Sequence, residues 1–161
     1  MGWNPEVTVA AVVSHDRKFL LVEELINGRL VLNQPAGHLE VEETLLAAVV
    51  RETREETAWR FSPDALVGTY LWRGAGDGRS FLRFAFCGDV DDHQPQQSLD
   101  QGIVRAVWLS PEEMVAQRER LRSPLVMRCV EDYLLGLRQP LESVARLDLT
   151  SAPHAPDVMT V

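Results

Sequence analysis

Apolar and β-branched residues run without interruption through EVTVAAVV at residues 6–13, which predicts a strand buried on both faces. The polar turn SHDRK ends it, and FLLVEELI at 19–26 reads as the next strand. Asn27-Gly28 is a two-residue hairpin signal, and RLVLN at 29–33 completes a third, short strand. QPAGHLEVEE carries Pro35 and Gly37 and is expected to be a loop. From Thr44, which suits an N-cap, the period changes. Leu46, Val49, Val50, Thr53 and Thr57 recur at three- and four-residue steps, which predicts a helix to about Thr57 with one packing face and its acids on another.

Beyond the helix, ALVGTYLW at 65–72 and SFLRFAFCGDV at 80–90 read as strands joined by a Gly-rich turn. Residues 91–102 are polar and form a loop, and IVRAVWL at 103–109 is a further strand. Ser110, Pro111 and Glu113 spell a capping box, and Ser123-Pro124 opens a second helix that ends near Gly136. The order of strands, helix, strands and helices predicts an α+β fold, a mixed β-sheet sandwiched between helices. At 161 residues the chain suits one domain, expected over 1–142, with a loosely held tail over 143–161.

Charge narrows the function. The formal net charge is −8, and no Lys/Arg cluster offers a footprint for a nucleic acid polymer. An acidic protein repels an acidic substrate too, unless cations bridge them. No apolar run reaches the roughly 20 residues of a membrane span, and the N-terminus does not read as a signal peptide. Cys87 and Cys129 both sit in apolar stretches and read as buried thiols, which fits a reducing cytoplasm.

The chemistry lies in RETREETAW, residues 51–59. At about 100° per residue, Glu52, Glu55 and Glu56 project to one side of a helix. Crowded acids of this kind usually form a solvated, ion-paired surface. Here they stand at fixed distances from an upstream Gly37 and Glu43, and GHLEVEETLLAAVVRETREETAW at 37–59 resembles the Nudix box. Six specified positions match: Gly37, Glu43, Arg51, Glu52, Glu55 and Glu56. At average residue frequencies, six fixed matches arise by chance on the order of once in 10⁵ chains of this size. Three positions depart from the pattern. Thr53 and Trp59 stand at apolar positions, and Ala58 replaces the glycine that ends the helix in a left-handed turn.

The resemblance implies a Nudix hydrolase that uses Mg²⁺, with Mn²⁺ as a substitute. Glu52, Glu55 and Glu56 then carry the metals, Gly37 offers a main-chain ligand, and Glu43 and Arg51 hold the loop against the helix. An acid from a later loop often joins them, and Asp100 is the candidate. Such a site has a physical rationale, since hard divalent cations take oxygen ligands and bind through a few carboxylates plus substrate phosphates. The flanks LNQPAGHLE, FLRFAF and LRSPLV are similar to the bacterial NudJ-type phosphatases of the family. That likeness implies a small phosphorylated substrate, with thiamine pyrophosphate or its pyrimidine precursor favoured over nucleoside di- and triphosphates. Asn33, Gln34, Trp72, Phe81, Arg83 and Arg122 are the candidate substrate contacts. The alternatives are a nucleotide-sugar or ADP-ribose pyrophosphatase and a non-catalytic ligand-binding protein of the same fold. A monomer and a homodimer fit equally.

Overall fold

The computed structural model describes residues 2–145, so most of the expected tail lies outside the described residues. Strand β1 (Glu6–Val12) is buried from Thr8 onward because partners flank it and layers cover both its faces. It runs parallel to β7 (Ser80–Asp91) and antiparallel to the short β5 (Ala36–His38). With β6 (Arg60–Arg73) these make a mixed sheet in the order β5-β1-β7-β6. The remaining strands form a second sheet around β3 (Lys18–Ile26), which pairs antiparallel with β2 (Ser14–His15), β4 (Arg29–Asn33) and β8 (Ile103–Leu109). The expected mixed sheet is therefore one of two sheets.

Alternation along β1 assigns the layers. Val9, Ala11 and Val13 point to a core shared with Ala48 and Val49 of helix α1 (Leu45–Thr57). Ala10 and Val12 point the other way, to a core with Met114 of α2 (Pro111–Ala116) and with Val126, Cys129 and Val130 of α3 (Pro124–Leu134). Helices on both sides of the mixed sheet give the sandwich that the element order predicts.

Several local readings hold. Asn27 and Gly28 have φ of 50° and 76°, as a two-residue hairpin turn of the primed type requires. Thr44 caps α1 by accepting from the Ala47 N–H, and Ser110 and Glu113 form the reciprocal capping box of α2. Thr53 is fully buried at its apolar position because its hydroxyl donates to the Val49 carbonyl at 2.8 Å.

Other readings change. The predicted loop at 34–38 contains β5, which is held by pairing with β1 rather than by any local pattern. Strand β6 begins at Arg60, five residues before the apolar run, with register shifts between Pro63 and Ala65 and between Leu66 and Gly68. The acids of α1 are not all on a solvated face, since Glu52 and Glu56 are buried.

Helix α1 stops at Thr57, and Ala58 takes the left-handed conformation with φ 61° and ψ 13°. Its N–H donates to the Arg54 carbonyl at 2.9 Å, so the family's glycine turn is kept without the glycine. A Cβ in this conformation costs about 1 kcal/mol, partly offset by its burial. Ala58→Gly should therefore raise stability by roughly 0.5 kcal/mol, read as a higher denaturant midpoint at unchanged slope. A lower midpoint means that packing of the methyl group outweighs the strain.

Candidate active site

The site is built where α1 passes behind β5. Gly37 pairs with Val9, and a Cβ at Gly37 would lie 2.1–2.4 Å from the carboxyl atoms of Glu52. Only glycine leaves that space, so the backbone of β5 and the Glu52 carboxylate share one small volume. The Ala36 N–H donates to Glu56 at 2.7 Å, which latches the helix to the same strand.

Arg51 organises the acids. Its Nε and Nη2 donate to the two Glu43 oxygens at 2.7 and 2.9 Å, a bidentate pair. Nη1 reaches Glu52 at 2.8 Å and Glu55 at 3.2 Å, and Nη2 also donates to the His38 carbonyl at 3.1 Å. The Arg51 guanidinium holds the Glu43 carboxyl below its usual range. Glu43 in turn accepts from the Glu40 N–H at 3.0 Å, closing the loop onto the helix. Glu43 and Arg51, the pair expected to hold the loop against the helix, thus touch both the loop and α1.

Asp100 joins the helix acids. The loop between β7 and β8 is laced to the end of α1 by the Asp100 N–H to Glu55 carbonyl bond at 3.0 Å and the Gln94 N–H to Ala58 carbonyl bond at 3.0 Å. Gln97 Nε2 adds a bond to the Arg54 carbonyl at 2.6 Å. These contacts add partners to carbonyls at the end of the helix, where the regular ladder runs out. They bring carboxylate oxygens of Glu52, Glu55 and Asp100 within 4.8 Å of one another. Three carboxylate oxygens this close, with Arg51 paired to Glu52 and Glu55, make the kind of hard-oxygen donor set that divalent cations take. Glu56 stands apart from this trio, toward the cleft.

Burial pushes the Glu56 carboxyl up to about 9, against its bond from Ala36. Burial also raises Glu52. In the metal-free protein the folded Glu56 keeps its proton to about pH 9, whereas the unfolded group releases it near 4.5. The stabilisation from this group is thus full below 4.5 and is lost as pH rises through about 9. In EDTA, the free energy of unfolding should fall between about pH 4.5 and 9, by up to roughly 1.4 kcal/mol per pH unit from this carboxyl. Glu56→Gln should flatten that slope. Equal slopes in the two proteins would contradict the assignment.

On the other face of β5 lies a cleft of about 520 Å³. Glu56, Ala36 and Gly37 form its end nearest the acids, and Trp72, Phe81 and Arg83 line the mixed sheet. Trp72 and Phe81 are cross-strand partners whose rings stack with centroids 5.8 Å apart. Asn33 and Arg122 also line the cleft, so five of the six candidate substrate contacts meet there. Gln34 sits behind them, 1% exposed, bonded to Arg83 and to the Val126 carbonyl.

Glu24 and Thr8 line the cleft too and were not singled out by the sequence. Glu24 is one of the charges that raise Glu56. A signal existed, since two consecutive acids in the apolar run FLLVEELI cannot both follow a two-residue alternation. The register shift between Glu23 and Glu24 resolves it. Glu23 is buried against Arg105 and Arg120, each at 2.7 Å, and Glu24 turns to the cleft.

Residues 4–128 match the family model for the NUDIX domain. The chain belongs to the Nudix family. The phosphatase NudJ of Escherichia coli K12 is 44% identical over 142 residues, which is 88% of this chain and 92% of that protein. A solved Nudix hydrolase from Nitrosomonas europaea is 48% identical with a TM-score of 0.89, covering 91% of this chain and all of the other. The Nudix domain of Shewanella oneidensis NrtR, solved with ADP-ribose, has a TM-score of 0.66 over 84% of this chain and 90% of its own. At 17% identity that likeness concerns the fold alone. This Nudix protein is thus a hydrolase of the pyrophosphatase and phosphatase type, with box residues that its fold gathers at one helix–strand crossing.

Proposed function

We propose that the protein hydrolyses a phosphoanhydride bond in a small organic pyrophosphate or nucleoside di- or triphosphate, with Mg²⁺, releasing phosphate. The observation that carries this reading is the carboxylate trio of Glu52, Glu55 and Asp100 beside a cleft that Glu56 also lines. A divalent ion bound there would neutralise the diphosphate and polarise it toward attack by water. Glu52, Glu55 and Asp100 would hold the metal, with Glu56 and the Gly37 main chain completing the set. Arg51 and Glu43 keep these groups in register without touching the substrate. The cleft would take the rest of the molecule, with a planar ring against Trp72 and Phe81 and its anionic groups toward Arg83 and Arg122.

Thiamine pyrophosphate and its pyrimidine precursor are the favoured substrates, since the likeness to a curated phosphatase NudJ covers most of both chains. A ring-stacking surface beside a phosphate-binding end suits them. A reducing cytoplasm fits the two free, buried cysteines. The test is a phosphate-release screen across thiamine pyrophosphate, nucleoside di- and triphosphates and ADP-ribose, with Mg²⁺ and with EDTA. Release from the first group that stops in EDTA is the expected result. No release from any compound would defeat the catalytic reading.

A further inference from the structure

Arg83 is 5% exposed, yet among the described residues no carboxylate forms an ion pair with it within 4.0 Å. The groups around it are neutral, the buried Cys129 thiol among them. Nη1 donates to Gln34 Oε1 at 3.0 Å and Nη2 to Asn33 Oδ1 at 3.2 Å, while the buried Nε has no partner. A buried cation is ordinarily paired with an acid. Elsewhere this chain pairs what it buries: the half-buried Arg51 sits on Glu43, and the buried Glu23 takes Arg105 and Arg120. At Arg83 it does not, and Arg83 is one of the groups that line the cleft.

The cradle is built to hold this geometry. Gln34 is fully buried and uses both ends of its amide, accepting from Arg83 and donating to the Val126 carbonyl of α3 at 2.7 Å. Asn33 approaches from the end of β4. Amide oxygens supply the hydrogen bonds that a guanidinium needs without cancelling its charge. Arg122, a second cation on the cleft, is likewise in no ion pair among the described residues.

We infer that Gln34 is a positioning residue that fixes Arg83 through a neutral oxygen, so that the full charge of the buried guanidinium is kept for an anionic group of the substrate. This rests on the reading that the cleft takes phosphorylated compounds, and it names the part of the cleft that recognises the anion. Glutamate at 34 would keep an acceptor for Arg83 and supply the missing countercharge. Methionine at 34 would remove the acceptor and leave the charge.

Those two variants separate charge from scaffolding. Binding of inorganic diphosphate to the full chain is measured by calorimetry in EDTA, so that no metal contributes. Gln34→Glu should weaken binding about tenfold or more, and Gln34→Met by less than about threefold. With metal present, Gln34→Glu should raise KM for the preferred substrate and leave kcat within about twofold. A purely structural role predicts the opposite order, with methionine the more damaging. That order, equal binding by Gln34→Glu and the parent, or no binding by the parent at millimolar diphosphate, overturns the inference. A parent that binds diphosphate in EDTA but hydrolyses nothing leaves this inference standing and removes the catalytic reading instead.

Discussion

Glu55→Gln is expected to lower kcat by about a thousandfold or more while leaving the fold intact. The substitution keeps the shape of the side chain and removes one of three charges whose oxygens lie within 4.8 Å. If those oxygens hold the catalytic metal, its loss or misplacement forfeits several kcal/mol of transition-state stabilisation, and about 4 kcal/mol is a factor of a thousand. Stability should move the other way. Without metal, Glu55 crowds Glu52 at the i,i+3 spacing and Asp100 across the loop, so the metal-free variant should melt no lower than its parent. The parent should also gain stability on adding Mg²⁺ or Mn²⁺, by an amount that grows with ion concentration, and the variant should gain less. Undiminished turnover in Glu55→Gln would remove the carboxylate trio as the metal site.

Gly37→Ala is the second large effect, and it acts through space rather than charge. The new methyl group would sit 2.1 Å from Glu52 Oε1, far inside contact distance. The carboxylate must therefore leave. Its carbon stem is flexible, so the cost in stability should stay near 1–3 kcal/mol. Its position is what the chemistry needs, and displacements of about 1 Å in such sites commonly cost a hundredfold. Turnover should fall by about that factor while the melting temperature drops only modestly. Activity and stability falling in proportion would show that Gly37 serves the strand pairing more than the site.

The box itself was legible because its information is local. Cap residues, helical spacing and the interval from Gly37 to Glu56 all lie within one short segment, and the helix begins and ends where those signals put it. What escaped the sequence was decided by pairing across long separations. Strand β5 has three residues, no alternation to display, and a partner nearly thirty residues upstream in Val9. The burial of Glu52 and Glu56 follows from that strand and was invisible without it. The start of β6 is hidden because Ser62, Pro63 and Asp64 carry no apolar alternation, whereas the strand runs through them with a register shift between Pro63 and Ala65. In the sequence Gln34 and Asn33 are equal candidates for a substrate contact, but neighbouring residues at a strand end point in opposite directions, and of the two Asn33 lines the cleft.

The connection from β7 to β8 has a consequence for the chain's freedom to change length. Ordinary surface loops accept insertions readily. This one is tied to the end of α1 from Gln94, Gln97 and Asp100, and its length sets where Asp100 meets Glu52 and Glu55. It behaves as a ruler. A residue added between Gln97 and Asp100 would either unfasten the helix end or carry the carboxylate past its partners, so this irregular stretch should tolerate length variation as poorly as a strand in the core.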